Sequence, residues 1–446
     1  FYDLEIENFT RESIEVALMS VLCKTRTASF DEVLRVVMTE DDFEDNKFLA
    51  ELAKYELLPA FWRLCEEQLG YTDVKPTLEK LVVTMFVSYT ARYLKGEVPV
   101  SWRSFVSYKS GNIIAFMDNL MNNILYRERY DEISNTIATS LKVTASLEIY
   151  DQEDLLDCDT FAVLDSFFVR WIKERLLNEN IGAKLNGLDI PAICEYRGKK
   201  HFGEMFKTEY QLLASAYYLI GAANYFCHDD LETIIKKYRT DDYLLDSHYR
   251  EFYYAYDQLS EPAGYEKLRE LVENIYTNEY LAKVLPRWNV ALCANGSMNV
   301  LPLQRNFFNR YIKSSKGKVI VIISDALRYE TGRYLYQKLQ EDAKCTATLD
   351  AMMGVLPSYT RLGMAALLPH KTLEISDDFK VLVDGSACDD LKQREVILQS
   401  YVPNSRCVQF DEIKMMKRAD LRQLVTGMEV VYVYHNQIDA RGDKPN

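Results

Sequence analysis

Three short segments of the sequence place acidic or hydroxyl side chains where a metal-assisted reaction on a phosphate group could occur. Asp325 follows an apolar run, Thr360 follows a proline-containing loop, and Asp439 and Asp443 follow a second apolar run. Two carboxylates four residues apart can converge on one cation, and hard oxygen ligands suit a divalent metal. A metal beside a hydroxyl lowers the pKa of that hydroxyl, which makes Thr360 the candidate nucleophile for a covalent phosphoryl intermediate.

Each segment also has a simpler structural interpretation. Asp325 could be a turn or N-cap aspartate, and Ser358 or Thr360 could cap the following helix. Asp439 and Asp443 could belong to a solvated acidic turn. The case for a shared site depends on position, because all three segments follow strands or precede a helix at the predicted ligand-binding edge of one sheet.

The elements that would position these residues lie after Ser314, where β-branched runs alternate with helical patterns. Such alternation predicts parallel β-α-β units with right-handed crossovers, so we expect a largely parallel α/β core. The predicted strands cover residues 318–323, 346–351, 372–375, 381–383, 406–410 and 429–434, and the predicted helices cover 330–340, 359–368, 391–401 and 419–426.

The first 313 residues show mainly the 3.6-residue apolar period of helices. Long helices are predicted over 78–94, 210–226 and 266–285, and Asp159 is predicted to cap a helix over 160–176. Glycines and a proline loosen the pattern between 182 and 203. We therefore predict three regions, which are a helical domain (1–185), a second helical region with a linker (186–313) and an α/β core (314–446).

Net charge divides the chain in the same way. The formal charge of the whole sequence is −14, yet residues 314–446 carry equal numbers of basic and acidic side chains. All the excess acid therefore lies in the first 313 residues, which argues against a non-specific nucleic-acid coat. Direct DNA binding stays open but is not favoured, and an acidic surface would speed association with basic partner proteins.

Cysteine usage and hydropathy indicate the compartment. The nine cysteines are scattered without a CxxC pair, which disfavours a disulfide framework or a zinc ribbon. The sequence contains no uninterrupted apolar run of the length that a membrane helix needs. We therefore predict a cytoplasmic protein with reduced thiols and no membrane partner.

Several segments resemble, in order, the PglZ family, type A, whose members are alkaline-phosphatase-superfamily proteins of BREX phage-defence systems. The resemblance implies a binuclear metal site, in which Asp325 binds one metal, Thr360 binds the same metal as nucleophile, and Asp439 binds the second. Asp443 stands where many superfamily members have a histidine. The resembling segments are Leu303–Phe308, Val321–Glu330, Leu356–Thr360 and Val431–Asp439.

The resemblance also implies a function and its requirements. The full-length protein would be a metal-dependent phosphatase or phosphodiesterase in antiviral defence, with Zn, Mn or Mg as cofactor and other BREX proteins, including a DNA methyltransferase, as partners. The carboxylate of Asp443 is a harder ligand than imidazole and shifts the expectation from zinc towards Mg, Mn or Ca.

The superfamily completes its site with a later Asp-His pair that this sequence does not contain. We therefore expect an α/β core that is incomplete at its C-terminus, with weak metal binding and no turnover by this chain alone. The alternative is a non-catalytic scaffold, in which the acidic helical region docks defence-complex partners.

Overall fold

The structure of the protein, a computed structural model, describes residues 9–40, 42–294 and 300–442. The chain folds as two compact units. The first unit comprises Phe1–Ala223 and His248–Ile275, and the second comprises Asn224–Ser247 and Tyr276–Asn446. The predicted boundaries near residues 185 and 313 remain predictions.

Helices dominate the chain up to the middle of the sequence, as the apolar periodicity predicts. They begin and end as follows: α1 Arg11–Leu22, α2 Phe30–Met38, α3 Lys47–Lys54, α4 Leu58–Leu69, α5 Leu78–Tyr93, α6 Ser110–Asn122, α7 Arg127–Ser140, α8 Val143–Leu147, α9 Gln152–Leu155, α10 Val163–Leu177, α11 Ile190–Gly198 and α12 Lys207–Ile220. Two short strands, β1 (Lys184–Leu185) and β2 (Leu188–Asp189), pair antiparallel in the predicted loose region.

The core of the first unit is built around α5, the helix predicted over 78–94. Its Phe86 is fully buried and stacks against Tyr130 and Phe161, with ring centroids 5.4 and 5.9 Å apart. The predicted N-cap role of Asp159 is wrong, because α10 begins later and Asp159 accepts hydrogen bonds from the backbone amides of His201 and Phe202 instead. The Asp159 carboxylate therefore binds backbone amides far along the chain, although the local sequence alone predicts that it caps a helix.

Four further helices follow, two of them continued by wider π-helical turns. They are α13 Leu231–Lys237, α14 Tyr243–Tyr256, α15 Glu266–Asn274 and α16 Ala282–Ala294, with π-helical turns at Tyr238–Asp242 and Ile275–Leu281. The helix predicted over 266–285 is thus present as α15, a π-helical turn and the start of α16. Within the described residues, no helix is both long and apolar enough to cross a membrane.

The α/β core follows in the second unit, with strands and helices alternating much as predicted. Its elements are β3 Val319–Ser324, α17 Tyr329–Gln340, α18 Thr360–Ala366, β4 Leu373–Ile375, β5 Val381–Val383, β6 Ser386–Ala387, α19 Leu391–Tyr401, β7 Ser405–Gln409, α20 Phe410–Ile413, α21 Arg418–Val425, β8 Val430–His435 and α22 Gln437–Gly442. The strand predicted over 346–351 is wrong, because those residues are irregular and only Met353 forms an isolated bridge, to Leu303.

The main sheet is parallel, with strand order β3-β8-β7, which confirms the predicted largely parallel α/β core. The central strand β8 is buried on both faces. Tyr432 and Tyr434 pack into one core cluster, and Val431 and Val433 pack into a second. Because residue pairs such as Ser324 and His435 stand in register, the carboxyl ends of β3 and β8 meet at one edge.

The remaining short strands depart from the predicted parallel arrangement. β4, β5 and β6 form a separate antiparallel sheet. The connections between them are shorter than the dozen or so residues that a parallel crossover requires. Asp384 and Gly385, both with positive φ, make the tight turn between β5 and β6, as a two-residue hairpin demands.

Candidate active site

Asp325 and Thr360 line the same pocket, although they are far apart in the sequence. The pocket has a volume of about 300 Å³ and lies between the carboxyl end of β3, the loop that precedes α18, and α18 itself. Gln304 and Ser358 also line it. The structure therefore brings together the carboxylate and the hydroxyl that were predicted to act on one phosphate.

Asp325 is held at the end of β3 by the main sheet. Its backbone amide donates to the carbonyl oxygen of His435 on β8, at 2.8 Å. One carboxylate oxygen accepts from the amide of Ala326 at 3.0 Å, and Ala326 has φ of +61° in the turn that follows. The sheet edge thus fixes the backbone of Asp325, and the turn directs the chain away into α17.

Thr360 is the first residue of α18, and its side chain is exposed to solvent. The N-cap is Tyr359, and neither the Ser358 nor the Thr360 hydroxyl forms a hydrogen bond within the described residues. The structure therefore does not support the interpretation that these hydroxyls cap the helix. Since no local bond occupies it, the Thr360 hydroxyl can reach a ligand in the pocket.

Helix α18 is fixed by its apolar face and by a partly buried hydrogen bond from the central strand. Leu362, Ala365 and Ala366 are buried. The hydroxyl of Tyr432, in the central strand, donates to the carbonyl oxygen of Leu367 at 2.7 Å, just after the helix ends. This bond ties the element that carries Thr360 to the strand next to the one that carries Asp325.

The predicted second metal ligands are not part of this pocket. Asp439 lies in α22, which begins two residues after β8, and it is not among the residues that line the pocket. Asp443 lies outside the described residues. In the part of the chain that the structure describes, no group of three or more His, Cys, Asp or Glu side chains is arranged to hold a metal ion.

The pocket contains oxygen atoms of the kind that bind divalent cations. The Asp325 carboxylate and the Thr360 hydroxyl are hard oxygen ligands, which suit Mg, Mn or Zn in a site that also uses water or substrate oxygens. A cation there would be held by these two residues, and further ligands would have to come from other groups.

Further polar groups lie at the same sheet edge, and sequence reasoning missed Asp411 among them. The Ser324 hydroxyl and Nδ1 of His435 are 2.9 Å apart, and the His435 ring meets Phe410 edge-on. Asp411, just past the end of β7, accepts from Lys414 at 2.6 Å and from Gln437 at 2.8 Å. These bonds, first from Lys414 and then from Gln437, hold the pKa of Asp411 below its ordinary value.

The rule that ligands gather at strand carboxyl ends would have found Asp411, because it follows a predicted strand. Its ion pair with Lys414 gives it a structural partner already. His435 lies at the edge itself, where its carbonyl oxygen accepts from the backbone amide of Asp325, but it is not among the residues that line the pocket.

Gln304 is the pocket residue whose role the sequence did not reveal. Its amide nitrogen donates to the carbonyl oxygen of Gly363 at 3.1 Å, inside α18. Its amide oxygen accepts from the backbone amide of Val355 at 3.0 Å, in the loop before that helix. One side chain therefore clamps the two segments that flank Thr360, which makes Gln304 a positioning residue.

Replacing Gln304 by leucine should loosen this clamp. The change leaves one backbone donor and one backbone acceptor without their partner, at a cost of about 1–3 kcal/mol for each group that stays buried. We expect a lower free energy of unfolding in urea than for the unchanged protein. Gln340→Leu is the matched control, since its amide makes one exposed bond to Ala347, and an equal loss in both variants would contradict the clamp.

A parallel sheet that presents a carboxylate and a helix-borne hydroxyl at its carboxyl edge is consistent with the core of an alkaline-phosphatase-like protein. Residues 304–446 match the family model described as the BREX system PglZ alkaline phosphatase-like domain. The part of the chain that carries the pocket therefore matches the PglZ domain, as the segments quoted above led us to expect.

Two curated proteins are similar to nearly the whole chain. The alkaline phosphatase-like protein PglZ of Bacillus cereus (strain H3081.97) is 31% identical over 99% of this chain and 53% of its own length. The alkaline phosphatase-like protein BrxZ of Escherichia coli O9:H4 (strain HS) is 29% identical over 99% of this chain and 54% of its own length. The chain thus spans about half the length of the curated relatives it matches. No solved structure matches it significantly.

Proposed function

We propose that the full-length protein is a metal-dependent phosphoric ester hydrolase, a phosphatase or phosphodiesterase, that serves a BREX anti-phage system in the cytoplasm. The observation that carries the proposal is the shared pocket of Asp325 and Thr360 in a part of the chain that matches the PglZ family model. In this proposal Thr360 is the nucleophile, Asp325 and Thr360 hold one metal ion, and Asp439 and Asp443 hold a second. The metal is Zn, Mn or Mg.

The reaction follows from what the side chains can do. The Thr360 oxygen forms a bond to phosphorus while the bond to the leaving-group oxygen breaks, and the hydroxyl proton passes to solvent. A water molecule then cleaves phosphoryl-Thr360, which releases phosphate and restores the hydroxyl. A bound divalent cation supplies Lewis-acid stabilisation of charge on the phosphate oxygens. Asp325 fixes the site because its backbone is bonded to the sheet edge.

Metal removal tests this function directly. We expect that treating the full-length protein with a chelator, followed by dialysis, reduces hydrolysis of an aryl phosphate or a bis-aryl phosphate to background. Adding back Zn, Mn or Mg one at a time should restore the rate with at least one of them. Full activity in the chelated and dialysed protein, verified to be metal-free by elemental analysis, would contradict a metal-dependent hydrolase.

The alternative is a scaffold whose acidic helical part docks other BREX proteins, for which a DNA methyltransferase is our proposed partner. The observation that favours it is the confinement of the net charge of −14 to the first 313 residues. Acidic surfaces raise association rates with basic partners. Catalysis and docking would use different parts of the chain, so the two functions are compatible.

A further inference from the structure

We propose that the second unit contains a binding site for a nucleoside phosphate, separate from the Asp325–Thr360 pocket. The site is a cavity of about 490 Å³ lined by the end of α13, the π-helical turn Tyr238–Asp242, the first turns of α17 and two loop segments. It shares none of its lining residues with the candidate active site. The proposal goes beyond the hydrolase function and does not depend on it.

Positive charge dominates the charged residues that line this cavity. Lys236, Arg239 and Arg333 line it, against the single carboxylate of Glu232. Arg239 has a counter-ion in Asp350, whose carboxylate oxygen lies 3.6 Å from the guanidinium. The lining therefore keeps a net positive charge in a chain that is acidic as a whole, which selects for an anion.

Two of these cations have unused hydrogen-bonding capacity. The Nε atoms of Arg239 and Arg333 are buried and make no hydrogen bond within the described part of the chain. Arg333 also forms no ion pair there, and its guanidinium instead lies 5.6 and 5.5 Å from the ring centroids of Tyr243 and Tyr336. Buried donors without acceptors are costly, and a phosphate offers two oxygen atoms that can accept from one planar guanidinium at the same time.

Apolar side chains complete the lining of the cavity. They are Ile235, Val300, Leu301 and Leu349. Ile235 belongs to a packed core cluster against which Val300 and Leu301 also pack. A cavity lined by both cations and apolar side chains is suited to a ligand that combines a phosphate with a flat, weakly polar group.

Tyr329 links α17 to the π-helical turn that carries Arg239. Tyr329 lines the cavity, its hydroxyl donates to the carbonyl oxygen of Arg239 at 3.4 Å, and the Tyr238 and Tyr243 rings are 5.8 and 6.1 Å from its own ring. Arg239 itself lies in the π-helical turn, a rare conformation that is frequent at functional sites. The hydrogen bond from Tyr329 therefore holds the backbone of this turn at the cavity.

Size and chemistry together indicate a nucleoside phosphate. Small-molecule sites typically measure about 300–1,000 Å³, and inorganic phosphate alone would leave most of this cavity, including its apolar side chains, without contact. A nucleotide can contact both kinds of lining residue, since its phosphate can meet the arginines and its base can stack on Tyr329 or lie on the aliphatic side chains.

Calorimetric titration of the full-length protein with AMP, GMP, CMP and UMP tests the site. A chelator is present throughout, so that no metal-bridged phosphate in the Asp325–Thr360 pocket contributes. We expect at least one nucleotide to bind with Kd below about 1 mM, and its nucleoside and inorganic phosphate each to bind at least about tenfold more weakly. Arg333→Gln and Arg239→Gln should each weaken nucleotide binding by about tenfold or more, as loss of a charged hydrogen bond predicts.

Lys338→Gln is the matched control, because it removes one positive charge from the same helix at an exposed position paired with Glu341. It should leave the nucleotide Kd unchanged, and thermal melts should show that all three variants fold. The proposal is overturned if no nucleotide binds, if the nucleoside or inorganic phosphate binds as tightly as the nucleotide, or if Arg333→Gln and Lys338→Gln have equal effects. If Thr360→Ala abolishes hydrolysis but still binds the nucleotide, the nucleotide site is distinct from the hydrolase site.

Discussion

Replacing Thr360 by alanine should abolish phosphate-ester hydrolysis by the full-length protein, lowering kcat/KM by at least about 10³-fold. The reason is that the proposed reaction proceeds through a bond between the Thr360 oxygen and phosphorus, and alanine offers no atom for that bond. Thr360→Ser keeps the oxygen and should retain measurable turnover. Steady-state kinetics with an aryl phosphate as substrate give kcat/KM for the unchanged protein and for both variants.

Thr348→Ala is the control for this experiment, since Thr348 is an exposed threonine of the same unit that lines neither pocket. Its kcat/KM should equal that of the unchanged protein. The same variants also separate the two proposed functions when phage protection is measured in cells. Loss of protection in Thr360→Ala would favour the hydrolase, whereas full protection without hydrolysis would favour the scaffold.

Replacing Arg197 by methionine should destabilise the helical unit by about 3–5 kcal/mol, the largest stability effect that we expect from one substitution. Arg197 and Asp165 form an ion pair in which neither side chain is exposed, with two nitrogen–oxygen distances of 2.9 and 2.8 Å. The guanidinium also donates to the carbonyl oxygens of Leu156 and Cys158. Removing it leaves a buried carboxylate and two buried carbonyls without their charged partner.

Urea unfolding curves of the single variant and two companions measure this effect. Arg170→Gln breaks an exposed pair with Glu148 and should cost less than about 1 kcal/mol. The double variant Arg197→Met with Asp165→Leu removes both buried charges and should recover much of the loss, because an apolar pair needs no counter-ion. Equal stability of Arg197→Met and Arg170→Gln would contradict the structural role of the buried pair.

The segments that contain Asp325 and Thr360 could be picked out from the sequence because their signals are local. A β-branched run followed by Asp325, and a proline loop followed by Thr360, are visible in a few residues each. Because ligands bind at the carboxyl ends of parallel strands, Asp325 and Thr360 are predicted to lie close together, and they line the same pocket. The parallel sheet was predictable for the same reason, since alternating strands and helices leave few other arrangements.

What the sequence could not reveal depends on partners that are distant along the chain. Asp159 has the local features of a helix cap, yet its carboxylate binds amides some forty residues later. Gln304 has no local feature that predicts a clamp across α18, because both of its partners are set by tertiary packing. The hairpin at Asp384-Gly385 is different, because that dipeptide is itself a turn signal and would have predicted the antiparallel strands.

The most direct test of the account is to trap the reaction at Thr360. The full-length protein, loaded with the activating metal, is mixed with an aryl phosphate, quenched in acid within one turnover, and digested for mass spectrometry. We predict that the peptide containing Thr360 gains the mass of one phosphoryl group, and that fragmentation places this group on Thr360. Turnover with no modified peptide, or with the phosphoryl group on a different residue, would contradict the assignment of Thr360 as the nucleophile.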